Sequence, residues 1–138
     1  MTNNSKIYLD SLNNPQKKAV INTEGSYLIL AGAGSGKTRV LTYRLFHLLL
    51  EKKALIGQIL AVTFTNKAAS EMKMRVASLL GRPIDSMWLG TFHSLSAKIL
   101  RNHANLVGLK SNFIIIDKDD QLKIVKQICE RDQINIKE

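Results

Sequence analysis

Eight consecutive residues, from Ala31 to Thr38 (AGAGSGKT), combine three glycines with an adjacent lysine and threonine. The general pattern of a phosphate-binding loop is G-x-x-x-x-G-K-[ST], and only the first glycine is replaced here, by Ala31. Glycines let the backbone curl until successive N–H groups point at phosphate oxygens, and a helix that begins there adds its positive end. Lys37 can reach β- and γ-phosphates, and the Thr38 hydroxyl can bind Mg²⁺. The segment predicts a nucleoside triphosphate site whose residues are Ala31, Gly32, Ala33, Gly34, Ser35, Gly36, Lys37 and Thr38, with Lys37 and Thr38 in catalytic roles.

Strand-like and helix-like segments alternate around this loop. Short apolar runs predict buried strands, and apolar residues at helical spacing predict helices. The predicted strands are residues 26–31 (SYLILA), 58–64, 86–90 and 112–116, and the predicted helices begin near Asn14 and span about 36–51, 66–80, 91–105 and 117–130. Alternation of this kind predicts an α/β fold, a parallel sheet flanked by helices.

The net charge of +9 is concentrated in one part of the chain. Residues 31–110 contain 12 lysines and arginines against three acids, whereas the flanking segments are nearly neutral. Basic side chains gain free energy by releasing counterions from a phosphate backbone, so a nucleic acid is one natural partner. An ordinary solvated basic surface explains the charge equally well, and the motifs must decide between the two.

The composition is that of a soluble globular domain, with 45% hydrophobic and 22% charged residues. No apolar run approaches the roughly 20 residues that span a bilayer, so we expect no membrane association and a cytoplasmic location. The single cysteine, Cys129, is interpreted as a small apolar packing residue rather than a reactive thiol.

Three further segments resemble motifs of the superfamily 1 DNA helicases of the UvrD/Rep/PcrA family. The first, residues 12–20 (LNNPQKKAV), is similar to the family's Q motif, whose glutamine contacts the adenine edge. Gln16 is the matching residue, and an amide suits that task because it both donates and accepts hydrogen bonds. Arg39 matches a family arginine near the nucleotide base. The resemblance thus implies ATP as the nucleotide, with Gln16 and Arg39 added to its binding site.

The second segment, residues 61–72 (AVTFTNKAASEM), resembles the family's motif Ia, a strand-to-helix turn that lines the DNA track. Phe64 at the strand end could stack on a base, and Thr65 and Asn66 could hold backbone phosphates without reading sequence. A core position for Phe64 is the competing interpretation, because it ends an apolar strand.

The third segment, residues 90–95 (GTFHSL), is similar to the family's next DNA-contacting motif. It adds Thr91, Phe92 and His93 to the predicted DNA site. Thr91 and Ser94 could instead be helix caps, and Phe92 could be a core residue. His93 has no cysteine or carboxylate beside it at metal-ligand spacing, which argues against a metal role.

The resemblance covers nearly the whole chain and implies the N-terminal part of a 3′-to-5′ ATP-dependent DNA helicase of repair or replication. It implies a RecA-like P-loop domain 1A over residues 1–110, and the start of the 1B insertion or a connecting helix over residues 111–138. The implied ligands are ATP, Mg²⁺ and single-stranded DNA or a 3′-tailed duplex.

The carboxylate pair with which this class hydrolyses ATP, written Asp-Glu in the family, occurs nowhere in the 138 residues. Asp117 ends the apolar run 112–116 and could imitate the metal-binding aspartate, but a helix cap is the favoured interpretation. We therefore expect background hydrolysis, no unwinding, and an incomplete sheet whose open edges favour self-association. A stand-alone nucleotide- and DNA-binding module, and a small P-loop kinase that uses Asp117, are the alternatives.

Overall fold

The computed structural model describes residues 7–134, and helices and strands alternate between residues 37 and 102. In chain order the elements are α1 (Asn14–Ile21), α2 (Lys37–Leu50), β1 (Leu60–Thr63), α3 (Asn66–Leu80), β2 (Trp88–Thr91), α4 (Phe92–Asn102) and α5 (Lys118–Arg131). The chain forms two compact units, Met1–Ser96 and Ala97–Glu138. The predicted 1A and 1B ranges, which extend beyond the described residues at both ends, remain predictions.

The sheet of the first unit consists of two parallel strands, β1 and β2. Their register pairs Leu60 with Trp88 and Thr63 with Thr91, so both strands end at the same edge. The crossover between them contains α3, which packs on both strands and on α2. The α/β class with a parallel sheet is therefore confirmed.

Two apolar clusters hold this unit together. The larger one joins α2, α3 and the sheet, and its most completely buried side chains are Met72, Val76 and Ile84. Burying a side chain of this size contributes about 1.5–3 kcal/mol. The smaller cluster packs α1 and the segment before it against α2 through Leu9, Leu12, Val20 and Val40. It fixes the helix that contains Gln16 beside the helix that begins at Lys37.

Residues 26–31 form no strand, which corrects the first predicted strand. Leu28 and Leu30 are 84% and 85% exposed. An extended segment becomes a strand only when a neighbour satisfies its backbone groups, and within residues 7–134 the only strand ladder joins β1 to β2. The apolar sequence therefore predicted both the strand and its burial wrongly.

In the second unit, residues 112–116 also form no strand, and Ile114 is 84% exposed. The Asp117 carboxylate accepts a hydrogen bond from the Asp120 N–H at 2.8 Å and caps α5. The cap interpretation of Asp117 is confirmed. Cys129 is a half-buried free thiol on α5.

No helix within residues 7–134 combines the length and apolar character needed to cross a bilayer. The same stretch contains no group of three or more His, Cys, Asp or Glu side chains placed to hold a metal ion.

Candidate nucleotide and nucleic-acid site

The glycine-rich loop turns through two residues in the left-handed backbone region before α2 begins. Gly34 has a φ of 73° and Gly36 a φ of 86°. Side chains disfavour these angles, so the glycines are needed for the turn itself. The Gly36 carbonyl accepts from the Val40 N–H at 2.9 Å, which starts α2 at Lys37 as the sequence predicts.

The Lys37 ammonium lies over the loop. Its Nζ atom donates to the carbonyls of Ala31 at 3.0 Å and Gly32 at 2.7 Å. A side-chain carbon placed on Gly32 or Gly34 would meet no atom within 4 Å, so the space beside the loop is open. Curled backbone, an open face and a cation above it fit a polyphosphate.

Thr38, the second residue of α2, is exposed and supplies one hydroxyl at this place. A hydroxyl oxygen is the hard type of ligand that Mg²⁺ accepts. Mg²⁺ usually keeps several waters and binds phosphate oxygens beside one or two protein ligands, so a single Thr38 oxygen is compatible with it. Ala33, between the glycines, is exposed and leaves the loop face unobstructed.

Gln16 connects α1 to the loop. Asn13 caps α1 by accepting from the Gln16 N–H at 3.0 Å, and the Gln16 Oε1 atom accepts from the Asn13 N–H at 3.1 Å. This reciprocal pair is a capping box. The Nε2 atom of the same amide donates to the Ser35 carbonyl at 3.0 Å. Gln16 also borders a cleft of about 230 Å³ whose lining includes Ala31, Ser35 and Lys37.

Arg39 is exposed on the first turn of α2, and its guanidinium lies 5.7 Å from the centre of the Tyr43 ring. The two residues border a cleft of about 370 Å³ between α2 and α3, together with Arg75. Sequence analysis missed Tyr43 and Arg75. The signal for Tyr43 was present, because residues four apart on a helix are neighbours. Arg75 comes from another helix, and its approach depends on packing.

Phe64 and Phe92 follow β1 and β2 directly. Phe64 is 93% exposed and Phe92 is 59% exposed, so the core interpretation is wrong for both. Their ring centres are 6.1 Å apart with planes inclined by 59°. Parallel strands in register place both rings at one edge of the sheet, and the pair presents an aromatic surface to solvent.

Thr65 and Asn66 shape the turn after Phe64. The Thr65 hydroxyl accepts from the Ala68 N–H at 3.1 Å and caps α3, whose first residue is Asn66. Both residues are exposed. The N–H groups of a helix's first turn are good partners for phosphate oxygens, and the end carries partial positive charge.

Thr91 is buried, whereas His93 is exposed. The Thr91 hydroxyl accepts from the Ser94 N–H at 3.2 Å, and the Ser94 hydroxyl accepts from the Thr91 N–H at 2.9 Å. In the structure Thr91 therefore serves as a helix cap, the alternative that the sequence left open. DNA contacts for Thr91 and His93 remain predictions.

Comparison with known proteins identifies the family. Residues 12–138 match the sequence profile described as the UvrD/REP helicase N-terminal domain. The chain belongs to this family. It is 49% identical over 129 residues, 94% of its length, to the ATP-dependent DNA helicase PcrA of Staphylococcus aureus strain Mu50. It is 50% identical over 127 residues, 92% of its length, to the protein of the same name from Staphylococcus epidermidis strain ATCC 12228.

The UvrD/REP family resemblance that the motifs indicated is thus confirmed. The chain spans 18% of the length of the first of these relatives and 17% of the second. The family match begins at residue 12, immediately before the Asn13 cap, and includes the loop and both aromatic turns. All the site residues predicted in this UvrD/REP chain therefore lie within the matched region.

Proposed function

We propose that this chain is the ATP- and single-stranded-DNA-binding N-terminal part of a 3′-to-5′ DNA helicase that serves repair or replication in the cytoplasm. Its first 110 residues would be a partial RecA-like domain 1A, and residues 111–138 would begin domain 1B or form a connecting helix. The observation that carries the proposal is the pair of exposed phenylalanines at one sheet edge, in the same compact unit as the phosphate-binding loop.

The nucleotide half of the proposal assigns each loop residue a task. Ala31, Gly32, Ala33, Gly34, Ser35 and Gly36 would surround the phosphates with backbone N–H groups. Lys37 would exchange its two carbonyl partners for phosphate oxygens, which are stronger partners because they are charged. Thr38 would place its oxygen on Mg²⁺, and Arg39 and Gln16 would lie at the base. A bound Mg-ATP would supply the phosphoanhydride bond that a motor of this kind consumes.

The DNA half of the proposal rests on sequence-independent contacts. Phe64 and Phe92 would stack on successive bases, since every base has an aromatic face. Thr65, Asn66, Thr91 and His93 would lie along the backbone, with phosphate contacts to helix N-terminal N–H groups. The basic middle of the chain would make binding sensitive to salt.

The isolated chain would hydrolyse ATP only at background, because it contains no Asp-Glu pair to hold the metal and activate water. The relatives named ATP-dependent DNA helicase support the activity of a parent protein. The kinase alternative needs Asp117 as a metal ligand, and that carboxylate caps α5 instead. The stand-alone binding module makes the same binding predictions and differs only in lacking a parent motor.

A titration of labelled single-stranded DNA at two salt concentrations, with and without Mg-ATP, tests the proposal. We expect binding to mixed-sequence and oligo-dT strands alike, weakening as salt rises, and Mg-ATP binding that Lys37→Ala abolishes. Absence of DNA binding at low salt would disprove the DNA-binding part of the proposed function. A DNA-stimulated ATPase rate that Lys37→Ala abolishes would disprove the expectation of background hydrolysis.

A further inference from the structure

The Gln16 side chain, which is predicted to contact a nucleotide base, also makes two hydrogen bonds within the protein. Its Nε2 atom donates a hydrogen bond to the Ser35 carbonyl, and its Oε1 atom accepts one from the Asn13 N–H. A primary amide has two N–H donors and an oxygen with two lone pairs. One donor and one lone pair therefore remain, which is the combination that an adenine edge requires. Binding the loop and binding a base are compatible for this one side chain.

The contact with Ser35 also fixes the direction of the next amide. The Ser35 C=O and the Gly36 N–H belong to one planar trans peptide, so they point in opposite directions. When Gln16 holds the carbonyl, the Gly36 N–H is turned away from α1. Gly36 directly precedes Lys37, so its N–H is one of the groups that would meet phosphate.

The packing at Gly36 shows that this approach is close. A side-chain carbon placed on Gly36 would lie 3.0 Å from the Gln16 Nε2 atom, whereas none placed on Gly32 or Gly34 would touch anything. The loop thus meets another part of the molecule at Gly36, through Gln16. Asn13, through the capping box, holds Gln16 in the rotamer that makes this contact.

From this geometry we infer that Gln16 is a positioning residue of the phosphate-binding loop, which orients the Gly36 N–H toward phosphate whether or not the ligand carries a base. The inference rests on the proposed nucleotide function. It separates two tasks of one residue, since base recognition predicts an effect on ATP alone. Loop positioning predicts an effect on any polyphosphate.

Inorganic tripolyphosphate with Mg²⁺ is the probe that separates the two tasks, because it has no base. Gln16→Met is nearly isosteric and uncharged but removes the donor. We expect it to weaken tripolyphosphate binding more than twofold and up to about tenfold, the range for losing one hydrogen bond. Binding to the 138-residue chain is measured by calorimetry, with folding verified by circular dichroism.

Gln58→Met is the matched control. The Gln58 Oε1 atom accepts from the Leu55 N–H at 2.9 Å, so this glutamine makes the same local backbone contact without touching the loop. Its tripolyphosphate affinity should stay within twofold of the unsubstituted chain. If Gln16→Met does not fold, Gln16→Glu serves instead, because it keeps the cap acceptor. About 0.5 M salt screens its added charge.

Three outcomes separate the hypotheses. Weaker tripolyphosphate and ATP binding in the Gln16 variant, with the Gln58 variant unchanged, supports loop positioning. Tripolyphosphate affinity within twofold of the unsubstituted chain overturns the inference and leaves base recognition intact. If the unsubstituted chain binds neither ligand, the proposed nucleotide function fails, and the inference fails with it.

Discussion

Phe64 and Phe92 follow directly after a pair of residues, Thr63 and Thr91, that are partners in the β1–β2 ladder, and their rings lie 6.1 Å apart. The Phe64 side chain is 93% exposed, so it gains little from burial in the folded chain. Exposed apolar groups clustered on a surface generally mark a binding site. Their position after consecutive strands makes the parallel sheet the element that sets their spacing.

Replacing Phe64 by alanine should weaken single-stranded DNA binding without unfolding the chain. Loss of one stacked base costs about 1–3 kcal/mol, which is roughly a 5-fold to 150-fold loss of affinity. Because the side chain is 93% exposed, the free energy of unfolding should change by less than about 0.5 kcal/mol. Fluorescence anisotropy with labelled oligo-dT measures the affinity. Tyr27→Ala removes another exposed ring of the same unit as the control, and equal losses in both variants would count against the aromatic pair.

Replacing Gly36 by alanine should damage both stability and nucleotide binding. A left-handed alanine costs about 1–2 kcal/mol. Gly25→Ala is a close match for this strain, since Gly25 has a φ of 84° and nothing within 4 Å of an added carbon. Both variants should lose stability in urea titrations, but only Gly36→Ala should bind Mg-ATP about tenfold to a hundredfold more weakly, as expected for lost hydrogen bonds to a charged ligand. Unchanged ATP affinity in Gly36→Ala would contradict the assignment of the loop.

Thr91→Ala should destabilise the fold through loss of a helix cap. The buried Thr91 hydroxyl accepts from the Ser94 N–H, and losing such a cap costs about 0.5–2 kcal/mol. Thr91→Ser keeps the hydroxyl and should retain most of the stability. Urea denaturation followed by circular dichroism makes the comparison. A Thr91→Ala variant of full stability but weaker DNA binding would show that the hydroxyl serves the ligand rather than the helix.

The stability of the chain should fall at alkaline pH through Tyr8. Burial raises the pKa of the Tyr8 phenol above its ordinary value of 10.0, and Glu51 acts in the same direction. Because its pKa is raised in the folded state, the protonated Tyr8 phenol contributes to folding stability. That contribution is complete below pH 10 and is lost as pH rises through the folded-state pKa. Urea unfolding at pH 8 and at about pH 11 should show a smaller decrease for Tyr8→Phe than for the unsubstituted chain. The exposed-tyrosine variant Tyr27→Phe is the control, and identical decreases in all three would disprove the assignment.

Local sequence patterns predicted most of the helices and the loop. The predicted helix 66–80 coincides with α3, and the helix that follows the loop begins at Lys37 as expected. Caps were readable as well, since Asn13 and Asp117 both accept the hydrogen bonds that their positions suggest. These features depend on residues within a few positions of one another, so the sequence contains their causes.

Burial was harder to predict because it depends on distant partners. The apolar runs 26–31 and 112–116 have the composition of buried strands, yet neither forms a strand and their leucine and isoleucine side chains are exposed. The core interpretation of Phe64 and Phe92 was wrong for the same reason, because both side chains are exposed and form an aromatic surface. The hydrogen bond between Gln16 and Ser35 joins residues 19 positions apart, and no local sequence pattern predicts it.

The exposed residues 26–31 lead directly into the loop that would hold phosphate. With no strand ladder there, the amide hydrogens of Leu28 and Leu30 should exchange with deuterated water far faster than that of Ala61, which faces β2 in the ladder. Any added strand that pairs with this segment would slow that exchange and stabilise the segment that precedes the loop. Isotope exchange along SYLILA would therefore report, residue by residue, when such a partner arrives.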